Sequence, residues 1–426
     1  PTPITGLHQW GAVTLFHGLP SDRVRAIAQT NDGAMWFGTE AGLAKFDGRR
    51  TQTINDPALP TGRVLSLQTD PDGSLWIGTE GGAARYTSNG FMAVKETAGQ
   101  AVSSIIAPEA RRVFMSTEQG QIFESRVKIV SEPADADAVS SMTRQAPVNT
   151  RELIEASPVL IQPLESAERD RPGPLVITSL VWADSHLLAG TLSRGVLHIE
   201  NGVVREFQMR PVAYFVNALT EDSHGALWVG SRSKKDEPAV LSGEETSALS
   251  RNEAPTGPVV ALRSINNEVW VGTDGRGVFR IGKQKTQRFT FDGTAGGLRS
   301  DHVYAIFPER EGVIWFGTDR GVCRYDPHAP RVESIGDNSE SNFIRTLFQT
   351  KSGHTLAGSN RGLFVYDTNT QAWNIVTELG RNIIYAIAED KQERLMVASA
   401  SGFYVAPKQS NKLETLIFNR LEASSG

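Results

Sequence analysis

One short block of sequence recurs along this chain and limits what it can become. Trp36-Phe37-Gly38-Thr39-Glu40 returns as Trp76-Ile77-Gly78-Thr79-Glu80, as Trp270-Val271-Gly272-Thr273-Asp274 and as Trp315-Phe316-Gly317-Thr318-Asp319. Trp228-Val229-Gly230-Ser231 is a shorter copy, and weaker copies put Phe114, Leu188, Leu356 and Met396 in the tryptophan's place. The nine copies follow one another roughly every 40 residues, with one doubled interval between Phe114 and Leu188. Each unit reads as four short strands, for example 24–28, 35–38, 43–46 and 51–54. Turns such as Asn31-Asp32-Gly33 and Asp47-Gly48 join them and supply the positive φ that a tight hairpin requires. The chain's 40 glycines, against roughly 30 expected at this length, suit that many turns. A four-stranded unit of this period is a propeller blade, and the dense turns exclude the helical solenoids of similar period. The expected fold is therefore all-β: a single β-propeller of four-stranded blades over residues 1–426. Nine blades are expected, or eight if one weak copy is misplaced. Residues 12–16 and 414–418 each offer an outer strand that could complete the last blade and lock the ring.

The doubled interval marks a long surface insertion over residues 131–172, between the third and fourth blades. It has no aromatic residue, and it carries Pro133, Pro147, Pro158, Pro163 and Pro172. Its eight acids against four bases account for most of the chain's net charge of −5. Asn149-Thr150-Arg151-Glu152 could cap a short helix running through Ala156. Two roles fit such a segment: a mobile excursion, or a lid or docking arm.

Composition removes several function classes. One cysteine, Cys323, excludes an intramolecular disulfide and any cysteine-rich metal centre, and its strand context reads as core. A pI near 6.0 argues against a general nucleic-acid binder. No apolar run approaches the ~18 residues of a membrane span, and the opening Pro1-Thr2-Pro3 suits a mature or trimmed N-terminus. Asp70-Pro71-Asp72-Gly73 begins like a calcium loop but lacks the closing acid, so it reads as a hairpin turn. The glycine-rich run 272–277 lacks the strand–helix setting of a phosphate cradle. The eight histidines show no metal-ligand spacing; His8 and His17, like His186 and His198, fall on different strands without a companion carboxylate pattern. No nucleophile elbow accompanies the serines. Neither cofactor nor metal is expected.

The recurring tryptophans read as inter-blade core rather than a sugar-stacking platform, because the same place in each repeat performs the same packing task. Function is expected where the repeat varies. Beside the apolar residue that opens each inner strand, the preceding position reads Arg23, Arg63, Ala101, Leu175, Phe215, Pro258, His302, Phe343 and Ile383. The following position reads Arg25, Leu65, Ser103, Ile177, Asn217, Val260, Tyr304, Arg345 and Tyr385. Arg25, Asn217, Tyr304, Arg345 and Tyr385 are expected to converge at one mouth of the channel, with Arg23, Arg63 and His302 around them. Arginine offers bidentate recognition of a carboxylate or phosphate, and tyrosine a flat apolar face with a hydroxyl. If two or more of these arginines lack carboxylate partners, the mouth is electropositive and favours anionic ligands such as uronic-acid oligosaccharides. The competing reading pairs them with rim acids such as Glu40, Glu80 and Glu118 around a wet channel.

The unit resembles the two-component-regulator propeller repeat. The opening carries the resemblance most specifically: His8-Gln9-Trp10, then Gly18-Leu19-Pro20-Ser21-Asp22-Arg23-Val24, Trp36-Phe37-Gly38-Thr39 and Gly42-Leu43-Ala44-Lys45-Phe46-Asp47-Gly48. It covers nearly the whole chain outside the insertion and the last few residues. The resemblance implies the non-catalytic, periplasmic or extracellular sensing part of a membrane-bound histidine kinase or related signalling protein. The partners it implies are a small-molecule or oligosaccharide ligand and, in the full-length protein, a second copy of the chain. Members of this family commonly carry two seven-bladed propellers followed by an immunoglobulin-like domain, a membrane helix and a transmitter. Nine units and none of those later features point here to one unusual ring, in an excised sensor region or a stand-alone relative. Two other classes stay open: a protein-interaction scaffold, and a polysaccharide lyase or hydrolase. Propellers host such enzymes, and the paired carboxylates that a glycosidase needs cannot be located from sequence.

Overall fold

The computed structural model describes residues 9–132, 149–159, 175–329 and 335–421, apart from 201–202, 207–214, 232–239, 243–254, 256, 283–285, 337, 369, 371 and 407–416. These residues form nine antiparallel sheets, eight of four strands and one, the fifth, of three. The first sheet shows the rule: Val24–Gln29, Met35–Thr39, Gly42–Phe46 and Thr51–Ile54 pair in sequence order. The strands read from the repeat are thus present, and the all-β propeller fold with them.

The turn six residues before a signature tryptophan anchors it. The Trp76 indole N–H donates to Asp70 Oδ2 at 3.1 Å, Trp228 to Asp222 Oδ2 at 2.8 Å and Trp315 to Glu309 Oε2 at 2.7 Å, while Trp36 uses Thr30 Oγ1 at 2.9 Å. Asp70 also accepts the backbone N–H groups of Asp72 and Ser74, so one carboxylate holds the hairpin and the ring together. Trp270 departs from this rule. Its turn is the two-residue Asn266-Asn267, both at positive φ, which supplies no acid, and among the described residues the indole N–H has no partner. Trp36, Trp76, Trp270 and Trp315 are all buried, as their recurrence implied.

The chain divides into two compact units, each described on its own: His8–Pro330, and Arg331–Gly426 with Pro1–Leu7. In the first, seven inter-sheet cores run in order around a ring. Trp36 and Leu43 pack against Val64 and Ile77 of the second sheet, and Trp76 against Val102 and Ile105 of the third. The series continues through Phe114 with Leu180, Leu188 with Leu219, Trp228 with Leu262 and Trp270 with Ile306. It then returns to its start, because Trp315 of the seventh sheet packs against Ile27 and Phe37 of the first. Trp10–Val13 completes the seventh sheet by pairing with Gly321–Tyr325. Trp10 packs there against Tyr325 and Phe289, with centroids 4.7 and 6.0 Å away.

Nine sheets are present, but the expectation of one nine-bladed ring, with eight blades as the alternative, is corrected. The ring closes after seven. Every unit carries the same local pattern, and closure is decided by which face meets which, something a period does not encode. The second unit holds the eighth and ninth sheets, opened by Ile344–Gln349 and Ile384–Glu389. Leu356 and Leu363 pack there against Ile384, Ile387 and Leu395. The closing strands lie beside the expected segments rather than on them: the first overlaps 12–16 only at residues 12–13, the second follows 414–418, of which 414–416 lie outside the described residues. Trp10–Val13 completes the seventh sheet, with residues 15–17 turning into a short 3-10 helix, and Asn419–Leu421 completes the ninth.

Part of the expected insertion belongs to a sheet. Asn149–Pro158 pairs along Ile122–Glu132 as the outer strand of the third sheet, so the helix expected from Asn149 to Ala156 is corrected to a strand. The reason is a period of two: Ile154 and Ala156 pack inward while Leu153 and Glu155 face solvent. Buried Arg85 ties this strand to the second sheet, donating to Glu152 at 2.6 Å and to Asp72 at 3.2 Å. The rest of the insertion, 133–148 and 160–172, lies outside the described residues.

Candidate functional site

The inner strands of the seven-sheet unit enclose a cavity of about 420 Å³ that all seven line. Each strand enters it through a bulge. Val24 pairs with Thr39 and Ala26 with Gly38, which leaves Arg25 unpaired between them. The same shift recurs at Leu65, Ser103, Thr178, Asn217, Val260 and Tyr304. A bulge adds an unpaired residue and re-aims its side chain, and here all seven line the cavity. Gly38 explains the close fit outside it, since a Cβ there would lie 2.6 Å from Val64 Cγ1 of the next sheet.

The structure thus brings Arg25, Asn217 and Tyr304 to one channel, as expected. In the fourth sheet the alignment moves by one residue. Ile177 is the buried partner of Thr191, and the residue lining the channel is Thr178. Arg345 and Tyr385 also occupy bulges, but in the two-sheet unit, where the Arg345 guanidinium lies 5.6 Å from the Tyr385 ring centroid. Three of the five expected residues therefore line this channel, and Arg345 and Tyr385 belong to the two-sheet unit.

Arg25, Arg63 and His302 at the mouth are each paired with an acid. Arg25 Nε lies 2.5 Å from Glu40 Oε1, and Arg63 bridges Glu80 Oε1 at 2.5 Å and Glu40 Oε2 at 3.7 Å. His302 Nδ1 lies 2.5 Å from Asp274 Oδ1. Arg23 is exposed, and its carbonyl accepts the Glu40 backbone N–H. The acids come from the repeat itself, as the residue after each Trp-x-Gly-Thr block. Burial pushes the Tyr304 hydroxyl pKa up, with Asp274 and Asp319 adding to it, and the Arg25 guanidinium lies 5.3 Å from its ring centroid. The competing reading, arginines matched by rim acids, is the one found for Arg25 and Arg63. Hydroxyls and amides in the channel stitch neighbouring sheets: Ser103 donates to the Ile177 carbonyl, Thr178 to that of Val216 and Asn217 to that of Val259, at 3.2, 2.7 and 2.9 Å.

Arg263 is the residue missed by looking only at strand starts. It lines the same cavity and is solvent-accessible within it. The surrounding strands push its pKa down by desolvation, and among the described residues no carboxylate offsets that. Its signal was legible, because the equivalent place in the other six sheets reads Ala28, Gln68, Ile106, Val181, Thr220 and Phe307. A lone charge facing a channel is conspicuous at such a position. Cys323, in contrast, is fully buried with its thiol pKa pushed up to about 12 by that burial.

Residues 18–41, 58–81 and 297–320 match the family model described as two component regulator propeller. The chain carries two-component regulator propeller repeats. Among solved structures it is similar to the extracellular domain of a protein described as a hybrid two component system from B. thetaiotaomicron. The identity is 16% and the TM-score 0.56, over 98% of this chain and 61% of that one. A second extracellular domain from that organism, described as part of a one component system, matches at 17% identity and TM-score 0.55, over 94% of this chain and 52% of that one. The repeat-bearing chain therefore spans about half to three fifths of those structures, and at such identity they show a shared fold. No curated protein matches its sequence. No helix among the described residues is long and apolar enough to cross a membrane.

Proposed function

We propose that this chain is the extracytoplasmic ligand-sensing part of a two-component-type signalling protein, and that its seven-sheet unit takes a small anionic, carbohydrate-like ligand in the central channel. The repeat family and the extracellular domains that share its fold support the sensing role. Arg263 carries the ligand reading: it is a guanidinium lining a cavity of about 420 Å³, open to the channel water and matched by no described carboxylate. Arginine keeps its charge there, so an anionic group entering the channel meets a cation that no described carboxylate neutralises. Arg25 and Arg63 do not offer this, since Glu40 and Glu80 already occupy them. The anion-binding position thus moves from the rim, where the sequence placed it, to the channel wall. Tyr304 supplies a flat face and a hydroxyl for the rest of such a ligand.

The test is a thermal-shift screen of uronic-acid oligosaccharides beside their neutral counterparts, followed by titration of the best acid. Replacing Arg263 by glutamine removes a charge-assisted contact of about 1.5–3 kcal/mol, so affinity should fall roughly ten- to hundredfold while the fold persists. Equal binding by wild type and Arg263→Gln would move the site elsewhere.

A further inference from the structure

We propose that the fourth sheet carries a site for a divalent cation of the zinc class, built from His186, His198 and Glu200. The proposal stands apart from the channel and does not depend on the sensing role. The site is made by register rather than by sequence spacing. His186–Thr191 pairs with Val196–Glu200 so that Leu187 meets Ile199 and Leu188 meets His198. That register sets His186 opposite Glu200, while His198, two residues before Glu200, shares its face. Three donors from two adjacent strands therefore project from one side of one sheet.

Their geometry is already close to a ligand set. The two imidazole centroids lie 4.6 Å apart with planes at 69°, and His186 Nε2 is 3.9 Å from Glu200 Oε1. One donor atom from each residue lies within 4.8 Å of the other two. Zinc binds imidazole nitrogen and carboxylate oxygen at about 2.0–2.2 Å, so tetrahedral donors sit roughly 3.3 Å apart. The remaining closure is a side-chain rotation on a backbone fixed by paired strands. The half-buried histidines and the exposed glutamate leave one side open, where water completes the shell. Two imidazoles with one carboxylate favour zinc, nickel or copper and are poor ligands for calcium or magnesium. The face also carries an opposing charge, since Arg205 of the outer strand pairs with His198 in register. Its side chain is exposed and can swing into solvent.

The experiment is calorimetric titration of the 426-residue chain with zinc chloride, with calcium chloride as the control. One zinc per chain and no calcium response are expected. Groups that merely orient a ligand already change metal affinity by roughly 10–100-fold, so His186→Ala or His198→Ala should weaken zinc by at least a hundredfold. Glu200→Gln, exposed and nearly isosteric, keeps the test decisive if a histidine variant folds poorly, and it should weaken zinc at least tenfold. Arg205→Ala should tighten it severalfold. The proposal is overturned if the wild type takes up no zinc, or if His198→Ala and Glu200→Gln bind it as well as the wild type. In that outcome the two rings simply pack edge to face.

Discussion

In the seven-sheet unit Ile27 is 6% exposed and Leu43 fully buried; at the same places in the repeat, Leu347 and Phe403 of the two-sheet unit are 65% and 40% exposed. The repeat is the same in both. Ile27 packs back onto Trp315 of one neighbouring sheet, and Leu43 packs forward against Val64 of the other. Inside the two-sheet unit the single inter-sheet core, Leu356 and Leu363 against Ile387, is as dry as any core in the ring. What differs is how many sheet neighbours each blade has within its unit. A blade is thus a half-finished object whose apolar faces gain their meaning from the sheets beside them, as expected for repeat architectures. Two turn carboxylates, Asp70 and Asp390, differ as well, although Asp222 of the ring is lowered like Asp390. Asp70, buried beneath its neighbours, has its pKa raised by desolvation, whereas Asp390, at the same place in the ninth sheet, has its own lowered by backbone hydrogen bonds from its turn.

The largest expected effect sets one unit directly against the other. Trp76→Ala should cost about 3–5 kcal/mol, because it empties an inter-sheet core and strips Asp70 of a donor. Phe403→Ala should stay within about 1 kcal/mol. Urea denaturation monitored by tryptophan fluorescence measures both, and comparable costs would mean that the exposed face of the ninth sheet is covered.

A smaller effect is expected at the glycine of the signature. Gly38→Ala places a methyl 2.6 Å from Val64 Cγ1 and should cost about 1–3 kcal/mol. The ninth sheet already has Ala398 at that place, so Ala398→Gly should change stability by less than about 1 kcal/mol. A neutral Gly38→Ala would show that neighbouring sheets of the ring can part more easily than their contacts suggest.

The smallest effect concerns pH. Asp70 stands at about 6 in the folded protein against an ordinary 3.8, so the folded state holds this proton more tightly than the unfolded chain does. Its stabilising contribution is complete below about pH 4 and is lost as pH rises through about 6. Asp72 beside it moves the other way. Burial alone would push it up, but hydrogen bonds from Asp70 and Ser74 and the Arg85 guanidinium hold it well below its ordinary value. Asp390, lowered as well, contributes stability above its ordinary value and loses it only in stronger acid. Between pH 4 and 6, Asp70→Asn should therefore flatten the decline in unfolding free energy seen in the wild type, and Asp390→Asn should leave that decline unchanged. Identical slopes for wild type and Asp70→Asn would remove this difference between the two turns.

Much of the fold was legible because it is local and written nine times. Strand lengths, Asp–Gly turns and the packing role of the tryptophans follow from patterns within some 40 residues. Ring closure was not legible, because Trp315 meeting Ile27 is a contact between distant repeats with no local mark. The strand at Asn149–Pro158 lost to a capping pattern although Ile154 and Ala156 carried a period of two. The channel positions at Arg25, Asn217 and Tyr304 were found because bulges fall at a fixed place in every unit. Their ion pairs depended on long-range geometry, and Glu40 and Glu80 could be named only as rival partners. Arg263 was passed over because it lies farther along its strand than the positions compared. The histidine cluster was hidden because strand register, not spacing along the chain, brings His186 to Glu200.

The strand Trp10–Val13 has a consequence for how the ring is made. Its partner, Gly321–Tyr325, is synthesised some 300 residues later. At about 5–20 residues per second, a growing chain waits roughly 15–60 seconds before the two can meet. Through that interval the first strand has no edge to pair with, the first sheet lacks the neighbour that covers Ile27, and both invite pairing with another chain. The contact that finishes the ring also spans the greatest sequence separation in it, the kind that slows folding most. A product cut short before Tyr325 would keep both edges open, so aggregation of truncated chains is built into the way this ring is fastened.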